Sequence, residues 1–168
     1  MTKLDTLQDL YIDQLQDLYS AARQSQKATA RMAEVASSEP LQAALQRGVE
    51  GIERGAQAVS GIIRQHGANP TDEFCKGMEG LVKEVDAHVF QAEFGDEDVR
   101  DAMIIAQYQR MAHYAIAGYG CVEAYARRLG REEEAETLQT CVSATRQGDQ
   151  GMTEIAEGSV NAAAAAAS

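Results

Sequence analysis

Apolar residues recur every three or four positions along nearly the whole chain, the spacing that lines one face of a helix. The first stripe reads Leu4, Leu7, Tyr11, Leu15, Leu18, Ala22, Ser25, Thr29, Met32 and predicts a helix from about Leu4 to Ala36. Ser37-Ser38-Glu39-Pro40 ends it, with Ser38 suited to cap the next helix and Pro40 to sit in its first turn. That second helix runs from about Glu39 to His66 on Leu41, Leu45, Gly48, Ile52, Gly55, Val59 and Ile62, and Gly67 and Asn69-Pro70 stop it. Thr71 or Asp72 can cap a shorter third helix, which reaches about Phe94 before Gly95-Asp96. The fourth spans about Glu97 to Leu129 on Ile105, Tyr108, Ala112, Ala115, Tyr119, Val122, Ala126 and Leu129. Gly130 separates it from a fifth, about Arg131 to Val160, with Leu138, Cys141, Thr145, Gly148, Met152 and Ile155 inward.

The order is long, long, short, long, long. Short connections make helices 1–2 and 4–5 antiparallel hairpins, and the short helix becomes the crossover between them. This predicts an all-α, ferritin-like four-helix bundle. A single domain covers residues 1–161, and the Ala-rich tail 162–168 finds nothing to pack with, so it frays or extends the last helix.

Composition agrees. Two Pro, three Phe and no Trp, with 45% apolar residues, describe a helical protein with a real core rather than a sheet. A net charge of -11 disfavours nucleic acid and anionic membrane surfaces as partners. No apolar run is long enough to span a membrane, and Met1-Thr2-Lys3-Leu4-Asp5 does not start a signal peptide. Cys75, Cys121 and Cys141, odd in number and widely spaced, read as reduced thiols of a cytoplasmic protein.

Bundles of this type hold two metal ions with carboxylates and histidines projecting inward at mid-length. Here the mid-length inward positions carry Ala22, Ser25 and Thr29 on helix 1, and Gly48, Gly51 and Gly55 on helix 2. Helix 4 offers Ala112 and Ala115, and helix 5 offers Ala144, Thr145 and Gly148. Small residues face one another from all four helices.

The segments Leu18-Tyr19-Ser20-Ala21, Cys75-x-x-Met78-Glu79-Gly80-Leu81, Asp101-Ala102, His113-Tyr114, Ile116-Ala117 and Tyr119-Gly120 give the chain a family likeness. From about Thr6 to Asn161 it resembles the small bacterial ferritin-like proteins typified by YciE and YciF, a family of unknown function. The resemblance implies a stress-associated setting and a homodimer. It also implies a metal-ligand pattern from which this chain departs. Where the family has Glu, His and Glu, Glu on either side of His-Tyr, and a Glu pair, this chain has Ala22, Gly48 and Gly51, Ala112 and Ala115, and Ala144 and Thr145. No metal and no cofactor are therefore expected.

Other candidates are weaker. His113 lacks ligand neighbours, and Glu84 with His88 supplies only two donors. Glu50, Glu53 and Glu123 read as surface charges, and Glu132-Glu133-Glu134 as complements to a helix dipole. Met103, Ile104, Met111 and Ile116 lie off the core seam of helix 4, a face that a second copy could cover. Three functions compete. The first is a non-catalytic structural or interaction protein. The second is a binder of a small apolar molecule in a cavity lined by Tyr19, Ala22, Gly48, Gly51, Ile52, Tyr108, Ala112, Ala115, Tyr119, Thr145 and Gly148. The third is a di-iron oxidase or ferroxidase.

Overall fold

The computed structural model describes residues 3–167; Met1, Thr2 and Ser168, which belong to the expected N-terminus and tail, lie outside the described residues. Helix α1 (Leu7–Val35) starts one turn later than its apolar stripe suggests, because Thr6 and Asp9 form a capping box. The Thr6 hydroxyl accepts from the Asp9 amide at 3.1 Å, and the Asp9 carboxylate accepts from the Thr6 amide at 2.9 Å. Leu4 is left outside, 44% exposed.

Helix α2 (Glu39–Gln65) begins after a three-residue connection. The Ser38 hydroxyl caps it, and the buried Asp101 carboxylate accepts from the Ser37 and Ser38 amides at 2.9 and 2.8 Å. Gly67, with φ at 72°, turns the chain at its end.

Helix α3 (Lys76–Val85) departs from expectation at both ends. Cys75 is its N-cap, with Sγ accepting from the Met78 amide at 3.3 Å. Thr71 and Asp72 instead belong to a turn held by Asn69, whose side chain bonds both. A π-type turn, Asp86–Phe90, carries the helix on to Phe90.

Helix α4 (Glu97–Arg128) is capped by Asp96, and α5 (Glu132–Ile155) begins shortly after Gly130, also at φ 72°. A second π turn, Ala156–Val160, leads into α6 (Asn161–Ala166). The tail does find a partner: α6 packs on α4. The extra residue of a π turn rotates every later side chain about the helix axis, and that rotation is invisible to a 3.6-residue pattern.

The hairpins α1–α2 and α4–α5 pair side by side, α1 against α4 and α2 against α5, while α3 lies across α1 and α4. The off-seam residues of α4 serve this crossover. Ile104 and Met111 are buried in one cluster with Met78, Val85 and Val89, and Met103 packs against it. Ile104 and Met111 are therefore buried within this chain, while Met103 and Ile116 of the same face are half-buried. The core falls into two apolar clusters. One gathers Met32, Leu41, Leu45, Ile105, Tyr108, Ala112 and Met152 with the crossover residues. The other gathers Tyr11, Leu15, Leu18, Val59, Ile63, Tyr119, Val122 and Leu138. Their boundary on α4 runs between Ala112 and Ala115, at the level of the small-residue layer.

Candidate functional site

The hydroxyls of that layer are turned onto their own helices. Ser25 donates to the Ala22 carbonyl at 3.2 Å, Thr29 to Ser25 at 2.8 Å and Thr145 to Cys141 at 2.8 Å. Each bond leaves an apolar surface toward the middle.

Two tyrosines of α4 reach the layer from either side. The Tyr108 hydroxyl lies 3.0 Å from where a Cβ on Gly48 would stand and 3.3 Å from that of Gly148. The Tyr119 hydroxyl lies 2.5 Å from the equivalent point on Gly55. These three glycines admit the rings because they have no side chain. Burial raises both phenols above their ordinary range, with the Asp149 charge adding to the shift at Tyr108 and Cys141 at Tyr119. Both stay protonated and neutral at any physiological pH. Neither hydroxyl has a hydrogen-bond partner among the described residues.

The remaining expected positions scatter. Ala22 and Ala112 are buried in the layer, and Ala115 packs half-buried against the second cluster. Thr145, Ile52 and Gly148 are half-buried. A side chain on Gly51 would meet only the Arg54 guanidinium, at 3.7 Å. Ala144 does not face inward; it is exposed, off the stripe marked by Leu138, Val142 and Met152. Tyr19 lies away from the middle, in a groove on the outer side of the α1–α2 hairpin, with the Arg23 guanidinium over its ring.

The donor set does not fit a pair of transition ions. No group of three His, Cys, Asp or Glu side chains is gathered for a metal among the described residues. His113, with its side chain 66% exposed, bonds Asp149 at 2.9 Å on the surface. His88 pairs with Glu84 at 3.1 Å, also exposed. Glu50 sits 4.0 Å from Arg54, Glu53 holds Arg23, and Glu123 holds Arg127. The three cysteines are free: Cys75 buried, Cys121 exposed, Cys141 between.

Two polar clusters escaped the sequence reading. Cys75 Sγ is 3.0 Å from the Tyr114 hydroxyl, which donates to Asp17 at 3.4 Å. Burial pushes the Cys75 thiol up, so it is a weak nucleophile. Gly77 leaves room for the Tyr114 ring, whose hydroxyl is 2.7 Å from the point a Cβ there would occupy. The Cys-x-x-Met-Glu-Gly-Leu segment thus has a packing explanation: a thiol cap, a glycine under a tyrosine, and a buried Met78. At the far end of the bundle, Glu134 accepts from Tyr11 at 2.7 Å and contacts His66 Nε2 at 2.9 Å, joining α1, α2 and α5. The only sequence sign was a tyrosine on an inward stripe facing a helix rich in glutamate at its start.

Among the described residues, no helix is long and apolar enough to cross a membrane. The signature of a domain of unknown function (DUF892) matches residues 6–165. The solved structure of YcfI of Rhodopseudomonas palustris, given as a candidate structural protein, superimposes with a TM-score of 0.84 at 28% identity, covering 90% of this chain and 95% of that one. The Escherichia coli stress protein YciF superimposes with a TM-score of 0.82 at 31% identity, covering 94% and 99%. In a separate sequence comparison, Protein YciF of Escherichia coli is 34% identical over 87 residues, 52% of this chain and 51% of that protein. That matched stretch spans about half the length of the curated relative.

Proposed function

Since the chain belongs to the DUF892 family of unknown function, we propose that it is a non-catalytic, YciF-like bundle that has exchanged the di-metal site of its fold for packed tyrosines. It serves as a structural or interaction protein in a stress setting, as the names of its two structural relatives suggest. The observation that carries this reading is the pairing of Tyr108 with Gly48 and Gly148, and of Tyr119 with Gly55. The Tyr108 phenol stands over Gly48, a position where the family likeness implies a ligand, and a neutral phenol does not offset the charge of divalent ions.

Elemental analysis tests it. Protein purified without chelator, then incubated with ferrous iron in air and desalted, is expected to retain no stoichiometric metal and to leave the iron oxidation rate at its uncatalysed value. A pair of bound transition ions per chain, or accelerated oxidation, overturns it.

A second reading rests on the unpartnered Tyr108 and Tyr119 hydroxyls. They suit a small ligand with hydrogen-bond acceptors seated between them. Native mass spectrometry of the freshly purified chain, showing one added mass that is lost in Tyr108→Phe, supports that reading over the first.

A further inference from the structure

A groove of about 250 Å³ opens on the outer side of the α1–α2 hairpin, away from the middle of the bundle. That is slightly below the ~300 Å³ at which pockets for drug-sized ligands begin, so it suits a smaller molecule. Tyr19 and Arg23 line it from α1, and Glu53, Ser60, Gly61 and Arg64 from α2.

Its charges are not balanced. Glu53 is held at 2.5 Å by Arg23 and also accepts from Gln26 and Gln57 at 2.8 and 3.0 Å. Arg23 is further fixed over the Tyr19 ring, 5.8 Å from its centroid. This wall is built and neutral. The exposed Arg64 guanidinium has no hydrogen-bond or ion-pair partner among the described residues, so the groove keeps one uncompensated positive charge on a chain whose net charge is -11. Ser60 supplies an independent sign. It is only 7% exposed, it lines the groove, and its hydroxyl has no partner among the described residues. A serine so buried on a helix ordinarily bonds a carbonyl one turn back, as Thr29 and Thr145 do here.

We propose that this groove binds a small organic monoanion, with its carboxylate on Arg64 and Ser60 and its apolar body against Tyr19. A guanidinium and a hydroxyl together satisfy both oxygens of a carboxylate. One net positive charge selects a single negative one. The half-buried Tyr19 ring offers an apolar surface that an inorganic ion would leave uncovered. The site is independent of the metal question, so failure of one leaves the other standing.

Sodium benzoate serves as the probe, followed by chemical-shift changes in isotope-labelled protein. Saturable shifts confined to residues 19–23 and 53–64 are expected. Arg64→Gln should weaken binding about tenfold, and Ser60→Ala should weaken it by a smaller factor. Gly61→Leu should abolish it. A Cβ at Gly61 meets nothing within 4 Å and Gly61 lines the groove, so the leucine is expected to occupy it and keep the fold, as its thermal melt will report. Arg47→Gln, on an exposed part of α2, should bind as the parent does. The proposal falls if no saturable shifts develop by about 10 mM benzoate, a Kd beyond any useful affinity. It also falls if the shifts survive Arg64→Gln, or if inorganic phosphate binds more tightly than benzoate. Self-association that Gly61→Leu removes would assign the face to a second copy instead and would equally overturn it.

Discussion

Gly55 and Gly120 both sit inside long helices, yet their surroundings are opposite. A Cβ on Gly120 meets nothing within 4 Å, whereas one on Gly55 comes 2.5 Å from the Tyr119 hydroxyl. Alanine at Gly120 should therefore stabilise the fold by about 0.5–1 kcal/mol through helix propensity alone. Alanine at Gly55 gains the same propensity but overpacks the layer. It should be less stable than Gly120→Ala by about 1–3 kcal/mol in urea denaturation, and adding Tyr119→Phe should recover much of the difference. What the sequence told of Gly48, Gly55 and Gly148 was their smallness and their inward placement. It could not tell that the space opposite each of these three is filled by a tyrosine from a neighbouring helix. A ring at Tyr108 or Tyr119 reads as ordinary core packing until the partner glycine is known. Tyr19 shows the converse: it shares the inward spacing of α1 loosely enough that the structure turns it to the groove.

The helices themselves were legible because strong apolar periodicity coincided with strong stop signals. Ser38, Pro40, Gly67, Asp96 and Gly130 all do what their residue types prescribe. The start of α3 was not legible, since Thr71 and Asp72 outrank cysteine as caps by propensity but are committed to the Asn69 turn. The two π turns and the docking of α6 on α4 were not legible either, as each depends on contacts distant in sequence. The junction of α1 with α2 rests on a residue from a third element. Asp101 reaches from α4 to accept two consecutive amides that would otherwise lack partners. Asp101→Ala should cost about 2–4 kcal/mol, near the sum for two unsatisfied part-buried donors. Asp101→Asn keeps one acceptor oxygen and should lose about half as much. Chemical denaturation at neutral pH gives both values.

Across the whole molecule, four of the six tyrosines have phenols raised above the ordinary value, at Tyr11, Tyr108, Tyr114 and Tyr119, burial being the largest cause at each. The folded state keeps these protons where the unfolded chain releases them. Above about pH 10 the unfolded state therefore binds fewer protons, and stability falls as pH rises. Below about pH 10 both states are protonated and this contribution is fully present. For a phenol as buried as Tyr119 the slope is about 1.4 kcal/mol per pH unit. Alkaline unfolding should be steep, should coincide with the phenolate absorbance change, and should flatten in Tyr119→Phe. The same tyrosines govern any attempt to build a metal centre. Introducing Ala22→Glu, Gly48→His, Gly51→Glu, Ala112→Glu, Ala115→Glu and Thr145→Glu together should confer metal affinity only when Tyr108→Ala clears the space over Gly48. Isothermal titration with cobalt or zinc, with and without the Tyr108 change, decides it.

The division of the core into two clusters has a mechanical corollary. Stiffness in a bundle comes from large side chains interlocked between neighbouring rods, and here those are concentrated toward both ends. The waist between them is joined by alanine, glycine and two phenolic tips. Thermal bending then concentrates at the waist, and amide hydrogens near Gly51 and Ala115 should exchange faster than those on either flank, so that the rod breathes from its centre outward.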